Sequence, residues 1–190
     1  SLDSKEEIMK KSIIKLMPIG GQAENGKSMY CLEIDDNWFI IDAGYRFPEV
    51  DKLGVDVIIP NFDYLKDNKD KIKAIFITHG HDDVMGALPY LLQEVNVPIY
   101  TTDLTADLID QLLQRYMRHS HVSYKYKIKR VNMNATIKVA GVEVDFFPIT
   151  HSIPGSVGLA FLTDYGYIVY SSEFIIDFGA PERFRCNIQK

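Results

Sequence analysis

Five side chains in this 190-residue sequence have donor atoms suited to metal-assisted hydrolysis. His79 and His81 flank Gly80, Asp83 follows two positions later, and His151 and Glu173 stand much further along the chain. Imidazole nitrogen and carboxylate oxygen both bind Zn²⁺, at about 2.0–2.2 Å. A glycine between two histidines relieves side-chain crowding, so both rings can turn towards one ion. A third imidazole from a distant segment completes a three-histidine face with an open position for water. An ion held that way lowers the pKa of its water towards about 7 and makes a hydroxide nucleophile. Asp83 is placed to hold a second ion or orient the water, and Glu173 to bridge two ions. Taken singly, each residue has a plainer role: His-Gly-His as two polar loop residues, His151 as a hydrogen-bonded loop histidine, Glu173 as a surface carboxylate. His119 and His121 close a segment of helical pattern, where histidine complements the helix dipole. They are not assigned to the site.

The surrounding pattern supplies the strand ends that such loops need. Apolar runs at Ile13–Ile19, Met29–Ile34 and Trp38–Ile41 read as strands, the last two joined by a turn at Asp35-Asp36-Asn37. Ala74–Ile77 is a short apolar run of the buried-strand type, and it leads directly into Thr78 and the two histidines. Val84–Val95 then reads as a helix with Met85, Leu88, Leu91 and Leu92 on one side and Pro89 in its first turns. Val97–Tyr100 is a strand. Thr102–Arg118 has helical spacing at Leu104, Leu108, Ile109, Leu112, Leu113 and Tyr116, with Thr102 or Asp103 as N-cap. Strands follow at Tyr124–Ile128, Ala135–Val139, Gly141–Phe147, Val157–Leu162 and Tyr167–Tyr170. Val142, Val144 and Phe146 alternate with polar residues, so one face of their strand is buried. The class is α/β with mixed, largely antiparallel sheets.

Composition narrows the function classes. Hydrophobic residues at 46% and charged residues at 25% are ordinary for a globular domain. The formal net charge of -5 provides no basic coat for non-specific nucleic-acid binding, although a local groove is not excluded by it. The two cysteines, Cys31 and Cys186, have no metal-type spacing and read as free thiols. This fits a reducing cytoplasm. No apolar run approaches the roughly 20 residues that span a bilayer, so no membrane partner is expected. The charged first residues, 1–11, are expected to be a flexible terminus.

Thr78–Leu92, reading THGHDDVMGALPYLL, resembles the signature loop of the metallo-β-lactamase superfamily and, more closely, that of the ribonuclease J family. Further stretches match that family in order: Pro18-Ile19-Gly20-Gly21, Ile41-Asp42-Ala43-Gly44 with Phe47-Pro48, Leu53-Gly54-Val55-Asp56 through Ile59-Pro60, Thr150-His151-Ser152-Ile153-Pro154 with Ser156, and Ile168-Val169-Tyr170 through Phe174 and Asp177. The resemblance covers nearly the whole chain. It implies the N-terminal part of an αββα sandwich over residues 12–180, with 181–190 as a loose end. It also implies that an inserted β-CASP domain would follow, so the chain is expected to be an N-terminal fragment. The implied site holds two zinc ions at the edge of the sheets. The implied activity is on RNA, as a 5′-to-3′ exonuclease and an endonuclease in bacterial RNA processing, rRNA included, and decay. Carried over by position, His79, His81 and His151 hold one zinc. Asp83 ligates the second and orients the water as catalytic base, and Glu173 bridges.

The departures from the family pattern are chemical. Active members read H-x-H-x-D-H, and here the last position is Val84, which has no donor atom. The bridging position is usually Asp, and Glu173 is one methylene longer. Misplacement by about 1 Å can cost on the order of 100-fold in rate. The glycine-rich turn over residues 20–27 also differs. These losses resemble the second paralogue of the family in some Gram-positive bacteria, weakly active or inactive alone and associated with the first. The expectation is therefore at most one weakly held zinc, impaired activity, and RNA and a ribonuclease J paralogue as partners in a homo- or hetero-oligomer. The alternative is a non-catalytic subunit that binds an active paralogue and RNA. A thioester or lactam hydrolase of the superfamily is a third reading, opposed by the resemblance at Thr150–Pro154 and Leu53–Pro60.

Overall fold

The computed structural model describes residues 12–19, 29–44, 59–150, 153–171 and 174–175. Strands β1 (Ile14–Pro18), β2 (Tyr30–Ile34) and β3 (Asn37–Ile41) form an antiparallel meander. The β2–β3 turn places Asp35 at φ 52, a left-handed conformation that Asp tolerates better than most residues. The Asp35 carboxylate accepts the Ile13 N–H at 2.8 Å, which fastens β1 to the turn.

Beyond β3 the sheet continues in parallel through β4 (Ile72–Phe76), β5 (Ile99–Thr101) and β6 (Ile128–Arg130). Parallel neighbours need crossover connections. Here these contain α1 (Asp63–Asp67), α2 (Asp82–Met85) with α3 (Leu88–Glu94), and α4 (Asp103–Ser120). The second, five-stranded sheet has the order β11 (Phe174–Ile175), β10 (Gly166–Ser171), β9 (Val157–Thr163), β8 (Val142–Pro148), β7 (Thr136–Val139), all antiparallel.

Alternation along the strands divides the core in two. Leu32, Phe39, Ile41 and Phe76 of the first sheet meet Val144, Phe146, Leu159 and Phe161 of the second. Each fully buried side chain of this kind is worth about 1.5–3 kcal/mol. Cys31, Ile40, Ile75 and Ile99 point the other way, into the helices, against Leu88, Leu91, Ile109 and Leu113. The described residues thus form helix–sheet–sheet layers, three of the four expected in an αββα sandwich.

Two local expectations are corrected and a third is qualified. The helix expected over Val84–Val95 is two helices, broken at Gly86-Ala87. Pro89 has no N–H for the Met85 carbonyl and its ring would clash there, so the chain restarts with proline in the first turn of α3. The strand expected at Tyr124–Ile128 is instead β6 at Ile128–Arg130. Tyr124 and Tyr126 lie outside it: Tyr124 donates to the Pro89 carbonyl at 2.9 Å, and Tyr126 hydrogen-bonds Asp110 on α4. Thr102 does hold the N-cap position of α4, but its hydroxyl donates to the Gly155 carbonyl at 2.8 Å rather than capping the helix.

Candidate functional site

The carboxyl ends of β3, β4 and β5 lie side by side, the place where open α/β sheets carry their sites. Each carries a buried polar residue at or just beyond its end: Asp42, Thr78 and Thr101. Asp42 takes φ 61, and its N–H donates to the Phe76 carbonyl at 2.8 Å. Its carboxylate then lies under Thr78 and accepts from the Thr78 N–H at 2.8 Å and from the Thr78 hydroxyl at 2.9 Å. From the second sheet, the Tyr170 hydroxyl donates to the same carboxylate at 3.0 Å. The Val157 N–H donates to the Thr78 carbonyl at 2.9 Å, so both sheets are fastened to the residue that precedes His79. Burial pushes Asp42 up to about 7, against the pull of these hydrogen bonds towards lower values.

The Thr78 hydroxyl also lies 3.0 Å from His79 Nδ1. A hydroxyl has one hydrogen. With Asp42 ionised, that hydrogen goes to the carboxylate, and Thr78 Oγ1 accepts from His79 Nδ1–H. In that ionised state, reached above about pH 7, the network favours the tautomer in which His79 Nε2 carries the free lone pair, the form a metal needs. Burial lowers the pKa of His79, which favours the neutral ring, while Asp83 raises it.

Gly80 makes the turn between the histidines against α4. A Cβ there would sit 2.3 Å from Leu108 Cδ1, so any side chain at this position would have to displace the Leu108 methyl end. His81 is exposed and begins α2, and its Nδ1 is 2.5 Å from Asp83 Oδ1. The same carboxylate oxygen is 3.9 Å from His79 Nε2, and the two imidazole centroids are 6.4 Å apart. His79, His81 and Asp83 thus share one small region. Among the described residues, no three His, Cys, Asp or Glu side chains converge as a metal-holding group. His151 and Glu173 lie outside the described residues, as do the turn over residues 20–27, the segment 45–58 and Cys186.

His79, His81 and Asp83 are of residue types that bind divalent metals, although they do not converge as a three-donor group, and the adjoining Val84 supplies no donor. Val84 is 1% exposed and its carbonyl accepts the Ala43 N–H at 2.6 Å. Its side chain is packed in the interior and offers no donor. Asp42, Thr78 and Tyr170 were not among the residues singled out from chemistry alone. The available signal was a lone carboxylate directly after the apolar strand Trp38–Ile41, and a hydroxyl directly before the first histidine.

The model of the metallo-β-lactamase superfamily matches residues 24–167. The chain belongs to that superfamily, and membership implies dependence on a metal. More narrowly, it is similar to Ribonuclease J 2 of Staphylococcus saprophyticus subsp. saprophyticus, 44% identical over 164 residues that cover 86% of this chain and 29% of that protein. It is also similar to Ribonuclease J 2 of Staphylococcus aureus strain NCTC 8325, 42% identical over 164 residues with the same coverage of 86% and 29%. The chain spans under a third of the length of these relatives. A solved structure, a protein of unknown function from Enterococcus faecalis V583, matches with a TM-score of 0.62 and 19% identity over 85% of this chain and 43% of that one. That likeness concerns the fold. No helix among the described residues is long and apolar enough to cross a membrane.

Proposed function

We propose that this chain is the metallo-β-lactamase part of a ribonuclease J-type protein acting in cytoplasmic RNA processing and decay. Its chemistry is metal-dependent hydrolysis of RNA phosphodiesters, impaired at one of two metal positions. The domain occupies residues 12–180. His79, His81 and His151 are the proposed ligands of one zinc, with Asp83 and Glu173 facing a second position that holds no full ligand set. A bound ion would supply an activated water. The chain's own contribution is to hold the His79 ring through Thr78 and Asp42, and to present Asp83 to orient that water.

The observation that carries the impaired reading is Val84, buried at 1% exposure beside an intact His79-Thr78-Asp42 network. The same residue favours a second reading, a non-catalytic subunit that binds RNA and an active ribonuclease J paralogue. One experiment separates them. The whole protein that carries this chain is measured for zinc content and for cleavage of 5′-monophosphorylated RNA with Mn²⁺ or Zn²⁺. Weak cleavage with at most one bound zinc is the expected result. Two tightly bound zinc ions would refute the impaired site. No cleavage by the pure protein, with stimulation of an added paralogue, would establish the subunit reading instead.

A further inference from the structure

A cavity of about 450 Å³ lies at the β2–β3 turn, lined by Ser12, Lys15, Glu33, Asp36, Trp38 and Lys71 among others. Its central residue is unusual. Glu33 is a carboxylate only 5% exposed, in the middle of a cross-strand row in which Lys15, Glu33 and Trp38 face one another on β1, β2 and β3. One oxygen, Oε1, accepts from the Tyr64 hydroxyl at 2.8 Å. Burial and the adjoining Glu33 push the Tyr64 phenol up to about 12, so it stays a donor. The other oxygen, Oε2, is buried and has no hydrogen-bond partner. A buried carboxylate oxygen without a partner is costly, and such an atom in a native fold calls for an explanation, of which a bound donor is one.

The walls indicate which group. Trp38 is stacked on Tyr64 with centroids 5.4 Å apart and an interplanar angle of 22°, which fixes the ring. Lys71 Nζ lies 5.3 Å from the Trp38 centroid, so this ring already attracts a cation. Carboxylates outnumber ammonium groups in the lining, Glu33, Asp35 and Asp36 against Lys15 and Lys71. An anion is disfavoured there, and a neutral donor forgoes the charge. A guanidinium is planar, donates several N–H bonds in a fixed fork, and lies flat on aromatic rings.

We propose that this cavity binds a guanidinium-bearing cation that donates to Glu33 Oε2 and takes over the place of Lys71 against Trp38. The site is independent of the histidine loop. Its ligand is either a free alkylguanidine or an arginine side chain presented by a protein.

Trp38 is the single tryptophan of the sequence, so its fluorescence reports the cavity directly. Agmatine is titrated into the 190-residue chain at constant ionic strength, with putrescine and sodium chloride as controls and an end-blocked Gly-Arg-Gly peptide in a parallel arm. A saturable agmatine response is expected, at least ten-fold weaker in Glu33→Gln and strengthened in Lys71→Met by about 2–5-fold, the range of one cation–π contact. Binding of agmatine alone identifies a free small molecule, and binding of the peptide as well identifies a side chain. Without ligand, Glu33→Gln is expected to raise the melting temperature, because it removes an unpaired buried charge. The competing occupant of Oε2 is Lys15, across the strand pair. The proposal is overturned if agmatine gives no saturable change or binds Glu33→Gln equally well. It is also overturned if Lys15→Met and Glu33→Gln both lower the melting temperature and neither protein responds to agmatine.

Discussion

Asp42→Asn removes one buried charge while keeping the shape that holds Thr78. The amide oxygen can accept from the Thr78 N–H now 2.8 Å from the carboxylate, and the amide nitrogen can donate to the Tyr170 hydroxyl now 3.0 Å away. In the native protein, burial carries Asp42 from 3.8 up to about 7. Between those values the folded state keeps a proton that the unfolded chain has released. The stability contributed by this group is complete below about pH 4 and is lost as the pH rises to about 7. At about 1.4 kcal/mol for each unit of pKa, the loss over that window is on the order of 4 kcal/mol. The assay is urea unfolding with a chelator present, at several values from about pH 4.5 to 8.5, for both proteins. The expected result is a difference between native and Asn proteins that moves against the native one by several kcal/mol up to about pH 7, then stays level. Parallel curves would refute the reasoning. So would a native protein that gains on the variant as pH rises, because the hydrogen bonds would then outweigh burial and keep Asp42 ionised throughout.

Two other substitutions probe the metal position. Thr78→Val deletes the hydroxyl between Asp42 and His79 but keeps the backbone N–H bond. Zinc affinity measured by calorimetry on the whole protein should fall about 10–100-fold, the usual effect of losing a ligand's supporting hydrogen bond. Unchanged affinity would show that Thr78 does not set the His79 tautomer. Val84→His places a donor at the proposed second-metal ligand position. Without metal it should destabilise the fold by about 1–3 kcal/mol, because a polar ring enters a buried place. With excess zinc, stoichiometry should rise from one to two, and a ratio that stays at one would refute the assignment of position 84 as the lost ligand.

The strand plan was legible because sheet burial writes itself as apolar runs and alternation. Trp38–Ile41 and Ala74–Ile77 are nearly continuous apolar runs because both faces of the first sheet are covered. Val142, Val144 and Phe146 alternate because the outer face of β8 is half-exposed. The His-Gly-His loop was legible because metal donors are rare residue types in close spacing. The helix break at Gly86-Ala87 was less so, since amphipathic periodicity runs through it and only Pro89 marks the restart. Tyr124–Ile128 misled because its alternating tyrosines pack onto helical partners, not a second sheet. Asp42 was visible as a letter, but its role depends on Thr78 and Tyr170 converging from two other strands. No spacing rule in a linear sequence encodes that meeting.

Position 84, proposed above as the place of an absent ligand, also has a packing role. Ala43 donates to the Val84 carbonyl at 2.6 Å and accepts from the Ala87 N–H at 2.8 Å, so the segment between α2 and α3 is stitched to the residue directly after Asp42. This pairing is open because the chain leaves the helical ladder at Gly86-Ala87, so the Val84 carbonyl and the Ala87 N–H bond Ala43 instead of helical partners. The Val84 side chain is buried by the same arrangement. A histidine there, as in the active pattern, needs a metal to offset the burial of its ring; valine needs nothing. Valine at this position therefore favours metal-free stability over a histidine, while the Asp42–Thr78–His79 network holds the first imidazole independently of it. The two halves of the site are energetically separable. On the proposed reading of the site, His79, Gly80, His81 and Asp83 can therefore keep their arrangement without a donor at position 84.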